Sequence, residues 1–219
     1  MGTITRTFAN NITTSGVFKP TAFNNASFDN VTAVPSGAVE GGNMVLLSTQ
    51  TASASASISF TSGIDSTYKE YMFVCNNIRP ATDNVQFHFQ TSTDGGSNYG
   101  VTVTSAGFHA EHPESDASTS LAYRTNVDLA QSTSYQQINS NGLSNDSDAN
   151  VCTILNLFNP SSTTYVKHFI FTSIFNDYLA RCTNTYGAGY FNTTSALNAI
   201  NFKMSSGNFD GTIQMFGIL

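Results

Sequence analysis

From residue 43 onward, apolar and polar positions trade places in short runs. Val85, Phe87 and Phe89 alternate with Gln86, His88 and Gln90, and Ile200, Phe202 and Met204 with Asn201 and Lys203. Ala54, Ala56, Ile58 and Phe60 alternate with Ser53, Ser55, Ser57 and Ser59. A period of two places one side-chain set on a buried face and the other in water, the pattern of antiparallel strands. It predicts strands over 44–49, 53–61, 70–76, 84–92, 99–105, 120–125, 135–139, 151–158, 165–175, 178–184, 199–205 and 211–219. No segment keeps a 3.6-residue apolar period through three turns, so no helix is expected. Asp94-Gly95-Gly96 reads as a hairpin turn in which glycine supplies positive φ. Many short strands separated by turn residues predict an all-β chain, an antiparallel jelly-roll-type β-sandwich over residues 43–219. An immunoglobulin-like or lectin-like sandwich is the alternative. A propeller is disfavoured, because no blade repeat of about 40 residues is visible.

Residues 1–42 follow a different pattern and read as an extended N-terminal arm for assembly or anchoring. An imperfect repeat runs from Asn10-Asn11-Ile12-Thr13 to Val17, and again from Asn24-Asn25-Ala26-Ser27 to Val31. Phe18, Phe23 and Phe28 recur every five residues between polar neighbours. So sparse a set cannot bury its own aromatic rings, which predicts cover from another chain or from the arm folding back. The expected assembly contacts are Phe8, Ile12, Val17, Phe18, Phe23, Phe28 and Val31. Val34-Pro35-Ser36-Gly37 and Gly41-Gly42 read as the hinge into the main domain.

Composition narrows the classes of function. Charged residues make up 10% of the 219, Ser, Thr and Asn together over a third, and the formal charge is −6. The eight Lys and Arg residues are scattered from Arg6 to Lys203 with no stripe to track a phosphate backbone, so no nucleic-acid partner is expected. No apolar run approaches the ~18 residues of a membrane-crossing helix, and no membrane insertion is expected. The start, Met1-Gly-Thr-Ile-Thr-Arg, carries no secretory pattern, which predicts synthesis in a cytoplasm. Cys75, Cys152 and Cys182 are odd in number and widely spaced, with no CxxC pair. Cys75 and Cys152 lie in apolar runs and are expected to behave as small hydrophobes.

The densest chemistry is His109-Ala-Glu111-His112-Pro113-Glu114-Ser-Asp116, two imidazoles and three carboxylates within eight residues. They are candidate ligand-loop residues, with a solvated loop as the plainer reading; the spacing fits no HExxH helix, and no metal is assigned. Asn145-Asp146-Ser147-Asp148 has a faint calcium-loop look but lacks the glycine and terminal glutamate of an EF-hand. There is no G-x-S-x-G elbow, Walker loop or G-x-G-x-x-G fingerprint, so no catalytic residue and no cofactor is assigned. Tyr123, Tyr135, Tyr186 and Tyr190 are candidate platforms for stacking on sugars, the last pair flanking a flexible Gly187-Ala-Gly189 segment. Their plainer reading is ordinary core or strand-end tyrosine.

Two stretches carry a family resemblance. One runs from Ile64-Asp-Ser-Thr-Tyr68 through Cys75-Asn-Asn-Ile78-Arg79-Pro80 to Thr93-Asp94-Gly95-Gly96-Ser-Asn-Tyr99. The other is the terminus, Met204-Ser-Ser-Gly207-Asn-Phe209-Asp210-Gly211-Thr-Ile213-Gln-Met215-Phe216-Gly217-Ile218. Together they resemble a β-rich module of tailed-bacteriophage virion proteins, especially of phages of marine bacteria, and the arm is similar to the starts of short virion proteins. The resemblance is loose over residues 106–150. It implies a structural, non-enzymatic protein of the virion surface, made in the host cytoplasm: a homotrimeric head-decoration or capsid-fibre protein anchored by its arm. The implied partners are copies of itself and major capsid or tail proteins. The alternative is a tail-fibre or receptor-binding module recognising host surface glycan through loops 106–118 and 140–150.

Overall fold

A computed structural model describes residues 44–219. The assembly contacts expected at Phe8, Ile12, Val17, Phe18, Phe23, Phe28 and Val31 lie outside the described residues. Thirteen strands follow one another: β1 (Met44–Ser55), β2 (Ser57–Phe60), β3 (Glu70–Pro80), β4 (Phe87–Ser92), β5 (Val103–Pro113), β6 (Ser120–Tyr123), β7 (Leu129–Ser132), β8 (Gln136–Gln137), β9 (Val151–Phe158), β10 (Lys167–Asn176), β11 (Arg181–Phe191), β12 (Ala199–Met204) and β13 (Phe209–Ile218). They form two antiparallel sheets. The larger runs β1-β13-β3-β9-β10-β11-β5-β6, with β7 also on β5, and the smaller runs β2-β12-β4-β8. The all-β expectation holds, and the described residues contain no helix.

Phenylalanine joins the sheets. Phe60, Phe87, Phe89 and Phe202 of the small sheet meet Phe73, Phe169, Phe171, Phe191 and Phe209 of the large one. Phe60 meets Phe73 at 5.6 Å between ring centres and Phe89 meets Phe169 at 5.2 Å, both edge to face, the arrangement that the ring quadrupole favours. Burying each ring contributes roughly 2–3 kcal/mol over leaving it exposed. The alternation of Val85, Phe87 and Phe89, and of Ile200, Phe202 and Met204, aims these residues into this core as expected. Cys75 is buried in it, and burial pushes its thiol pKa upward. Lys167 is buried as well; its ammonium donates to the Thr193 carbonyl at 2.9 Å, and desolvation lowers its pKa.

Five details depart from the sequence reading. The serine–alanine alternation fails at Ala54 and Ala56, which are exposed. The chain turns there from one sheet to the other, with Ala54 at φ 47° and its N–H held by Asp210 Oδ1 at 2.7 Å. Asp94-Gly95-Gly96 is not a hairpin, because β4 and β5 lie in different sheets. Its carboxylate accepts from Ser92 Oγ and from the backbone and side chain of Asn98, and these bonds pull its pKa down to about 2. Residues 106–113, read as a loop, are the second half of β5, and Gly187-Ala-Gly189 lies within β11. β7 has no counterpart in the periodicity.

His88 stands opposite Lys203 on the outer face of the small sheet. Burial first, and the Lys203 ammonium second, lower its pKa to about 4. An unfolded histidine takes its proton near pH 6.5, so between 6.5 and 4 the unfolded chain holds a proton that the folded chain refuses. Stability therefore falls as pH drops through that window and levels off below it. Between pH 7 and pH 4, urea unfolding of His88→Gln should lose about 3 kcal/mol less than the wild type. Equal losses would refute the assignment.

Candidate docking face

The 109–116 residues do not form one site, because β5 is extended and sends successive side chains to opposite faces. His109 points inward and is buried, whereas His112 points outward and pairs with Asp116 Oδ1 at 2.9 Å in an exposed contact. Glu114 lies in the turn beyond, where its N–H donates to the Ala180 carbonyl. Glu111 accepts from Asn141 Nδ2 at 2.9 Å and from Arg181 at 3.4 Å. Asn141 and Arg181 also donate to buried Asp177, at 3.1 and 2.6 Å. Ser140 Oγ lies 2.9 Å from His109 Nδ1 and 2.9 Å from Thr185 Oγ1.

Serine, histidine and glutamate thus come together, but in the wrong order for nucleophilic catalysis. A relay needs the acid on one ring nitrogen and the hydroxyl on the other. Here Ser140 at 2.9 Å and Glu111 at 3.8 Å both approach Nδ1, and Ser140 is buried. Burial, and after it the Arg124 charge, lower the His109 pKa. This is a polar staple between β5, β11 and the 139–145 segment. Among the described residues, no three His, Cys, Asp or Glu side chains are placed to hold a metal ion. The carbonyls of Asn145 and Asp146 accept from Arg79, at 2.7 and 3.0 Å, which ties this turn to β3.

The distinctive surface is the outer face of the large sheet. In β10, Phe169, Phe171 and Phe175 point into the core, while His168, Ile170, Thr172 and Ile174 point outward and are exposed. The outward positions of β9, β10, β11 and β5 include no Asp, Glu, Lys or Arg. Strand register arranges them in cross-strand rows. Thr172, Tyr186, Phe108 and Tyr123 form one row; Ile170, Ala188 and Ala106 the next; His168, Tyr190 and Thr104 a third. The outer rows are built around aromatic rings and the middle one is small across β11 and β5. The result is two adjoining grooves of about 400 and 380 Å³ that share Ala106, Ile170 and Ala188.

The aromatic row is held in place. Phe108 and Tyr186 stack at 5.1 Å with 18° between their planes, and Asn184 Nδ2 donates to the Tyr186 hydroxyl at 3.0 Å. Tyr123 donates to Asp128 Oδ2 at 2.7 Å, and that bond raises its pKa. Of the four tyrosines singled out above, the fold brings Tyr123 and Tyr186 into one row. Tyr190 lies two rows away beside His168. Tyr135 belongs to a different surface, bonded to Asn201 at 3.0 Å with Lys203 over its ring. The face as a whole escapes a reading by alternation, because β10 carries Ile170 and Ile174 on its outward side beside His168 and Thr172. The apolar run there, Phe169-Ile170-Phe171 onward, is the signal that would have found it, since it marks a strand covered on both faces. The chain matches no protein-family model, no curated protein and no solved structure.

Proposed function

We propose that this chain is a structural, non-enzymatic component of a tailed-phage virion that associates with copies of itself and with capsid or tail proteins. The observation that carries the reading is the outer face of β9, β10, β11 and β5, free of Asp, Glu, Lys and Arg, which together with β6 leaves Phe108, Leu121, Tyr123, Ile154, Ile170 and Ile174 exposed. Single exposed apolar residues are ordinary, whereas a contiguous patch of this kind belongs to association surfaces. The strand order supports the jelly-roll reading. The segments β1/β2, β3/β4, β8/β9 and β12/β13 each pass from one sheet to the other, so that β1-β13-β3-β9 faces β2-β12-β4-β8. Eight strands wound in this way make two Greek keys. On this reading β10, β11, β5 and β6 are an extension of one sheet, and the apolar face lies largely on that extension.

Deleting residues 1–35 is expected to abolish incorporation into the particle while leaving the melting curve of the remaining chain cooperative. Normal incorporation of the truncated chain would defeat the anchoring role. The exposed Tyr123–Phe108–Tyr186 row favours a second reading, a receptor-binding module for host glycan, since flat aromatic faces stack on sugar rings. A glycan array probed with wild type and Tyr186→Ala decides it: binding lost in the variant supports the second reading, and no binding by the wild type removes it.

A further inference from the structure

We infer that the outer face of the large sheet is a two-fold contact between two copies of this chain, the aromatic row of each seated in the groove of the other. The inference rests on the reading of the chain as a self-associating structural protein and names the surface that does it, with a two-fold pair in place of the homotrimer that the resemblance implies. Three observations identify a second copy as the occupant.

The first is charge. The chain carries a formal −6, yet the outward positions of β9, β10, β11 and β5 hold none of that charge. Two identical acidic molecules repel most where their carboxylates face each other, and this face lets them meet without opposing any. The carboxylates at its edges are already engaged, Glu70 by Asn156 Nδ2 at 2.6 Å and Asp128 by Tyr123. Depletion of charge together with enrichment in aromatic residues is the composition of interface cores.

The second is shape. The raised row of Tyr186 and Phe108 runs beside the low row of Ala188 and Ala106, one strand repeat of about 7 Å away. A half-turn about an axis between the rows places each ridge over the other copy's groove, so one surface serves both partners, as an isologous contact requires. Ile170, at the end of the low row, stays available to meet the incoming ring.

The third is size. From β3 to β6 the face spans about 30 Å across strands spaced ~4.8 Å apart, and about 20 Å along them. This gives roughly 600 Å² per copy and roughly 1,200 Å² in the pair, at the lower end of specific protein contacts. Facing sheets would lie about 10 Å apart, close enough for the aromatic row to reach the floor.

Light scattering on the full chain, over a hundredfold range of concentration, tests the contact. The wild type should reach twice the 23.4 kDa chain mass. Ile170→Lys and Ala188→Gln, one charging the groove and one filling it, should each weaken association at least 100-fold. Both positions point to solvent in the single chain, so the variants should keep the wild-type melting temperature measured at dilutions where all three are monomeric. Raising the salt should tighten the wild-type pair, because it screens the residual repulsion without weakening an uncharged contact. A wild type of 23.4 kDa at every concentration overturns the inference, and so does dissociation by salt. A trimer or larger assembly whose mass neither substitution changes would also overturn it, while leaving the structural role proposed above intact. Failure of that role alone would appear as a dimer that is disrupted as expected but never joins a particle.

Discussion

Gly187→Val is expected to destabilise the fold by about 4 kcal/mol, above the common range for an overpacked core. Gly187 faces inward from β11, and the Phe171 ring lies against its α-carbon. A β-carbon placed there would sit 2.1 Å from Phe171 Cζ and 2.4 Å from Cε1. The ring has little room to withdraw: Phe169 stacks beside it at 6.4 Å and Phe89 meets it edge-on at the same distance. At the neighbouring Gly189 a β-carbon would come within 2.6 Å of the Thr104 carbonyl and 2.7 Å of the Phe169 ring. Glycine is required at these positions for space, not for backbone freedom, since neither has positive φ. Combining Gly187→Val with Phe171→Ala should cost well under the sum of the two single losses, because the ring is what the new methyl groups strike. Chemical denaturation of the two single variants and the double variant measures this. Additive losses would show that Phe171 is not the obstacle.

Asp177→Ala should cost about 3–5 kcal/mol, the range for removing one partner of a buried ion pair. The carboxylate is fully buried in the turn between β10 and β11. One oxygen accepts the N–H groups of Leu179 and Arg181, at 2.9 and 3.2 Å, and shapes the turn. The other takes Arg181 Nε at 2.6 Å and Asn141 Nδ2 at 3.1 Å. Alanine strands four donors at once, each of which was bonded to charge. In the Asp177→Ala background, Arg181→Met should cost little, since the guanidinium has lost its main partner. A full additional loss from Arg181→Met would place its worth at Glu111 instead.

These two positions mark the boundary of what the linear pattern conveys. Gly187 and Gly189 read as a flexible segment, because glycine in sequence suggests a loop. In the fold they are the gaps into which two phenylalanines of the next strand pack. Asp177 carries no local signature, because its donors come from residue 141 and from its own turn. The 109–116 cluster shows the converse. Its residues are close in sequence, but an extended strand divides them between core and solvent, leaving His109 with Ser140 and His112 with Asp116.

What the chain determines by itself is what depends on neighbours along it. Alternation of apolar and polar residues set the β-class and the inward faces of β4 and β12, since a strand's two sides are a local property of extended backbone. Tertiary structure alone decided which strands share a sheet, as when β5 joins β11 across some seventy residues of chain. It also assembled Phe108, Tyr123, Ile170 and Tyr186 from four strands into one surface. The physical reason is that such a face is a sum over register. Each strand contributes one or two unremarkable residues, and only hydrogen-bonded pairing places them side by side.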